Sequence, residues 1–93
     1  MHEYELVLVL NPDLDDTAAT DLVNKVKGWI TDGKGELAKV DVWGRRKLAY
    51  QIRKQTEGLY YLLHVKMDPK FVITLERNLR LAEPVMRFLI IAK

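Results

Sequence analysis

Hydrophobic and polar residues alternate along this chain with two different periods, and the points where the period changes mark its elements. Tyr4 to Leu10 (YELVLVL) is a short apolar run stopped by Asn11-Pro12. A run of that length before a turn signal reads as a buried central strand. From Thr17 to Thr31, Ala18, Leu22, Val23, Val26, Trp29 and Ile30 recur at the spacing of one helix face. Asp15 or Asp16 can cap that helix, and Gly33 stands where a helix end wants a residue tolerant of positive φ.

From Glu36 the period becomes two. Ala38, Val40, Val42, Leu48, Tyr50 and Ile52 share one parity; Lys39, Asp41, Trp43, Arg45, Lys47, Gln51 and Arg53 share the other. A strand of about 17 residues is roughly three times the usual length, and Gly44 is expected to let it bend. A one-residue bulge at Gly44 would reverse the parity and turn Lys47 and Arg53 inward, and the pattern argues against it. Arg46 then falls on the core parity. There it needs either a hairpin that projects past the helices or a route by which its head snorkels to a partner or carboxylate. Thr56-Glu57-Gly58 is the expected hairpin turn. Leu59, Tyr61, Leu63, Val65 and Met67 line one face of the next strand; Tyr60, Leu62, His64 and Lys66 line the other.

Asp68-Pro69 starts a second helix, with Val72, Leu75 and Leu79 as its buried stripe and Phe71 beside it, and Ala82-Glu83-Pro84 ends it. Arg87 to Ala92 is a last strand. The order β-α-β-β-α-β predicts an α+β, ferredoxin-like domain spanning residues 1–93: a four-stranded antiparallel sheet with both helices on one face. Right-handed crossovers put the first and third strands in its centre. The uncovered face then carries some of Val7, Val9, Tyr60, Leu62 and alternate residues of Phe88 to Ile91. A partly apolar open face predicts a partner that covers it.

Composition narrows the function classes. The 93 residues suffice for one core, and the absence of cysteine excludes disulfides, thiolate metal sites and cysteine nucleophiles. The N-terminal residues lack a basic targeting region, and no apolar run can span a bilayer, so the expectation is a soluble cytoplasmic protein. Net charge is only +2, but its distribution is uneven. Glu3, Glu5, Asp13, Asp15, Asp16 and Asp21 precede the first Lys or Arg, whereas residues 45 to 54 hold Arg45, Arg46, Lys47, Arg53 and Lys54 without an acid. Such asymmetry concerns partners and not the fold.

Catalytic readings find little support. His64 would need an orienting carboxylate or a nucleophile to act as a base, and a solvated or partner-contacting role fits better. Asp13, Asp15 and Asp16 lack the glycine and distal Glu of a calcium loop and suit a helix N-terminus. No Gly-rich phosphate cradle occurs, and the turn after the first strand is acidic, unlike that of an acylphosphatase-type enzyme. The basic strand is the remaining candidate. Arg45, Lys47 and Arg53 beside Trp43 match phosphate binding by counterion release, and Trp43 and Tyr60 could stack on bases or cover a partner. The competing interpretation is an edge strand that uses cations to block edge-to-edge association. An RNA-recognition motif shares the element order but would need aromatics on the first strand, where Val7 and Val9 stand.

Several stretches together resemble a known family: "YELVLVLNPDLDD" (Tyr4 to Asp16), "KVDVWGRRKLAYQI" (Lys39 to Ile52), "EGLYYLLHVKMDP" (Glu57 to Pro69) and "LERNLRLAEPVMRFLII". They are similar to the sixth protein of the bacterial small ribosomal subunit, with its Gly-x-Arg-x-Leu-Ala-Tyr-x-Ile run at Gly44, Arg46, Leu48, Ala49, Tyr50 and Ile52. The resemblance spans essentially the whole chain. It implies the fold above, no enzymatic activity and no cofactor. It further implies that the protein binds the central domain of small-subunit ribosomal RNA, paired with the eighteenth protein of that subunit, a small basic partner.

Arg45, Arg46, Lys47, Arg53, Lys54 and Arg87 are the expected RNA-binding residues; Trp43, Tyr60, Leu62 and His64 are the expected partner-protein or stacking surface. No catalytic or metal-ligating residue, membrane contact or small-molecule substrate is expected. Three departures stand out. Relatives often carry arginine near Met1, where His2 and Glu3 occur here; proline commonly follows the Leu-Ala-Tyr run, where Gln51 occurs; and many relatives continue past the last strand into a polar tail. The rival from another class is a small-ligand regulatory domain, expected to be a homodimer through its sheet, whereas the ribosomal reading expects a monomer in isolation.

Overall fold

Leu6, Leu8 and Leu10 alternate along the first strand, and all three side chains are fully buried beneath the helices. In the computed structural model, which describes residues 1–93, this strand is β1 (His2–Leu10). It is followed by α1 (Asp16–Asp32), β2 (Glu36–Ile52), β3 (Gln55–Met67), a 3₁₀ turn at Pro69–Phe71, α2 (Val72–Leu81) and β4 (Val85–Ala92). The strands form one antiparallel sheet in the order β2-β3-β1-β4, with both helices on one face. This is the ferredoxin-like arrangement, and β1 and β3 hold the centre.

Capping follows the residue chemistry. Asp15 Oδ1 accepts the Ala18 N–H at 2.7 Å, satisfying a free donor of α1, and Asp68 Oδ1 accepts from Lys70 N at 3.1 Å. At the end of α1 the left-handed residue is Lys34 (φ 62), not Gly33, whose φ is −83. Gly33 is small for another reason: a Cβ there would lie 3.1 Å from the Cβ of Phe71.

The core is one cluster drawn from β1, α1, β3, α2 and β4, with β2 adding only the partly buried Leu37. Leu6, Leu8 and Leu10 meet Leu63, Val65 and Met67 of β3, Val26 and Ile30 of α1, and Leu75 and Leu79 of α2. Register is set by this pattern: Leu6 pairs with Leu63 on one side and Ile90 on the other.

The hairpin differs from expectation. Ile52 pairs with Gln55, so the turn is the two-residue Arg53-Lys54, with φ of 51 and 65. Positive φ at both central residues belongs to a type I′ turn, the form whose twist matches the strands. Neither residue is glycine or asparagine, so composition points to Gly58 instead. Gly58 lies within β3, buried against β1, where a Cβ would fall 2.6 Å from Val9 Cγ1. Its role is close strand approach.

Candidate nucleic-acid and partner interface

The face shown by each β2 residue follows from its partner on β3. Val40 pairs with Leu63 and Val42 with Tyr61 on the helix side, while Asp41 pairs with Leu62 on the open side. Between Val42 and Gly44 the register shifts: β2 advances two residues while β3 advances one, from Tyr61 to Tyr60. An extra residue in one strand is a bulge, and Gly44, at φ 79, supplies the backbone that bulges favour. Parity therefore reverses after Trp43. Arg45 pairs with Leu59 and Lys47 with Glu57 on the helix side, and Arg46 pairs with Gly58 on the open side. The expected stripe of Arg45 and Lys47 beside Trp43 is replaced by Arg46 beside Trp43. The helix-side cations need no core space, because Arg45 and Lys47 are both exposed.

Arg46 has a defined neighbour. Its guanidinium carbon lies 5.6 Å from the centre of the Trp43 ring, and Trp43 stacks on Tyr60 at 6.4 Å and 15°. A cation over an aromatic face is held by the ring quadrupole while its outer edge stays in water. Among the ion pairs of the chain, none involves Arg46, Lys47, Arg53, Lys54 or Arg87.

The other arginines meet acceptors of the protein itself. Arg45 Nη2 donates to the Pro12 carbonyl at 2.9 Å, with Glu57 3.6 Å away. Arg53 Nη1 donates to the Glu83 carbonyl at 2.7 Å, and Nη2 to the Val85 carbonyl at 3.2 Å. Arg87 Nη1 donates to the Tyr50 hydroxyl at 2.6 Å. The hairpin thus curls over the end of the sheet toward the α2–β4 connection.

Beside this arm the open face is partly apolar. Leu62 and Val9 are buried among neighbours, whereas Leu89 and Ile91 are 49% and 45% exposed. A shallow hollow of about 110 Å³ is lined by Val7, Val9, Tyr60, Arg87, Phe88 and Leu89. That is well below the few hundred Å³ of a small-molecule site. No group of three His, Cys, Asp or Glu residues is placed to hold a metal ion. No helix is long and apolar enough to cross a membrane.

A family model for ribosomal protein S6 matches residues 3–92. The chain belongs to the ribosomal protein S6 family. It is 42% identical to the small ribosomal subunit protein bS6 of Clostridium acetobutylicum over 99% of this chain and 97% of that one. The bS6 of Clostridium novyi is 44% identical over 98% and 96%. The solved 30S ribosomal protein S6 of Thermotoga maritima is 29% identical and superposes with a TM-score of 0.93 over 99% of this chain and 87% of that one. S6 is a structural protein family of the small ribosomal subunit, not an enzyme family.

In this S6 chain the structure brings Trp43, Tyr60 and Arg46 together and places Leu62 and His64 on the same open face, away from the hairpin tip. It also supplies a residue that sequence reasoning missed. His64 Nε2 lies 3.0 Å from Asp41 Oδ2, and Lys39 Nζ lies 3.4 Å from Asp41 Oδ1. Lys39 pairs directly with His64, and Asp41 stands two residues further along the same face in unbroken register. The His64 imidazole, and then the Lys39 charge, hold the Asp41 carboxyl below its ordinary 3.8 against the opposing effect of desolvation. A depressed carboxyl stabilises the fold above its unfolded value and loses that contribution as pH falls through the folded value. Asp41→Asn is therefore expected to lower the urea midpoint at pH 7, with the difference from the parent shrinking below about pH 4. A difference independent of pH would show that the ionised carboxylate contributes nothing.

Proposed function

We propose that this S6-family chain binds the central domain of small-subunit ribosomal RNA together with a small basic protein, the eighteenth of the subunit, in the cytoplasm. The observation that carries this reading is a cationic hairpin arm, residues 45–54, all of whose bases but Arg45 lie outside any ion pair, adjoining an exposed apolar sheet face. Arg46, Lys47 and Lys54, with Arg45, Arg53 and Arg87, form the basic surface, and such cations bind RNA by displacing counterions from phosphates. Leu89 and Ile91 offer apolar area, and Glu3, Glu5 and Asp41 share that face through their pairing with β3 and β4. Acidic groups beside apolar ones suit a basic partner protein. Trp43, Tyr60, Leu62 and His64 lie along the same surface.

The test is titration of a central-domain RNA fragment across a salt series, with and without the partner. The parent is expected to bind more tightly when the partner is present. Leu89→Glu is expected to remove that gain while leaving the affinity for RNA alone within about twofold, since Leu89 lies on the sheet face outside the basic hairpin and an exposed charge there is largely screened by salt. Equal binding with and without partner would remove the sheet face from the interface. The isolated chain is expected to be a monomer in sedimentation.

A further inference from the structure

The basic residues of the hairpin do not stand in equivalent surroundings. Arg53 spends donors from both terminal nitrogens on the carbonyls of Glu83 and Val85. Arg45 spends one on Pro12, and Arg87 one on the Tyr50 hydroxyl of β2. These three ties fasten the hairpin to the turn after β1, to the start of β4 and to β4 itself. Their need is visible in the ladder. Between the Lys47–Glu57 and Ile52–Gln55 pairs, β2 advances five residues and β3 only two, so Leu48 to Gln51 lack residue-for-residue partners. The tip also holds Arg53 and Lys54 in left-handed backbone, which L-residues disfavour. A poorly laddered, strained tip does not hold one position unaided.

We propose that Arg53, with Arg45 and the Tyr50–Arg87 pair, is a positioning clasp, and that the phosphates are met by Arg46, Lys47 and Lys54. The inference rests on the RNA-binding reading above and divides its residues into two kinds. A residue that neutralises a phosphate adds to the salt dependence of binding, about 0.9 in the slope of log affinity against log salt. A residue that only orders the arm changes the fraction of competent protein, which lowers affinity equally at every salt concentration. Lysine at position 53 separates the cases, because it keeps the charge but cannot reproduce the fork to two carbonyls.

The experiment titrates the parent, Arg53→Lys, Arg53→Ala and Lys54→Ala with the central-domain RNA fragment from low to moderate salt. Amide hydrogen exchange is followed over residues 46–58 and over β1. Arg53→Lys is expected to lose about three- to tenfold in affinity with the slope unchanged, as an arm competent about a tenth to a third of the time would. Exchange should quicken over 46–58 and stay unchanged at Leu6 and Leu8. Lys54→Ala is expected to lower the slope by about 0.9 with exchange unaltered. The clasp is overturned if Arg53→Lys binds like the parent while Arg53→Ala lowers the slope as Lys54→Ala does. Should no variant alter affinity or slope, the RNA-binding reading fails instead. The clasp is then judged by exchange alone, and unchanged exchange in Arg53→Lys overturns it.

Discussion

The triple variant Arg46→Ala/Lys47→Ala/Lys54→Ala is expected to bind the central-domain RNA fragment roughly two to three orders of magnitude more weakly at 0.1 M salt. Each phosphate contact contributes about 0.9 to the salt slope, and at that concentration about an eightfold gain in affinity, so three together multiply. None of the three side chains forms an ion pair, so their removal strands no carboxylate. Only Arg46 has an internal contact, over Trp43. The fold should therefore be unaffected, and the slope should fall by about 2.7. A loss of affinity that persists undiminished at high salt would mean that these residues act through shape and not through charge.

Leu63→Ala is expected to have the largest effect on stability. Leu63 is completely buried at the centre of β3, paired with Leu6 and Val40 and part of the cluster that includes Val26 and Leu79. Removing its branched end leaves a hole that the neighbours cannot fill, a loss of about 3–5 kcal/mol. A chain of this size has a total of only about 5–10 kcal/mol, so much of the variant would sit near its unfolding midpoint. Chemical denaturation reads the result: the urea midpoint should fall steeply with little change in the slope of the transition. The control is Leu89→Ala on the open face, half exposed, which should shift stability by about 0.5 kcal/mol or less. A loss under about 1.5 kcal/mol for Leu63→Ala would mean that the core collapses around the gap.

The element order was legible because each element carries its own period and its own stop. Leu6, Leu8 and Leu10 alternate, Leu22, Val26 and Ile30 follow a helix turn, and Asp15 and Asp68 cap where their side chains can reach. The phase of β2 was not legible. A bulge adds one residue without changing composition, so alternation before and after Trp43 looks continuous on paper while the faces exchange. Asp41 and His64 both read as open-face residues, but their proximity depends on the register of β2 on β3, which the turn at Arg53-Lys54 and the bulge at Trp43 set. The turn was misplaced for a different reason: glycine at position 58 serves strand packing against Val9, while Arg53 and Lys54 occupy the backbone positions glycine normally takes. Charge alone also did not sort the cations. Arg53 and Lys54 are neighbours of like charge, yet one is bound to carbonyls and the other is free.

On the RNA-binding reading, the two left-handed residues at the hairpin tip set stability and binding against each other. Each L-residue in that conformation costs about 1–2 kcal/mol, which an Asn-Gly pair would largely avoid. Any engineering scheme that ranks substitutions by thermal stability would change Arg53 and Lys54 early. On the function and clasp proposed above, the product would melt later and grip RNA worse, because Arg53 ties the arm down and Lys54 offers a charge to phosphate. If the proposed roles hold, heat resistance in this protein is a misleading guide to fitness for the ribosome.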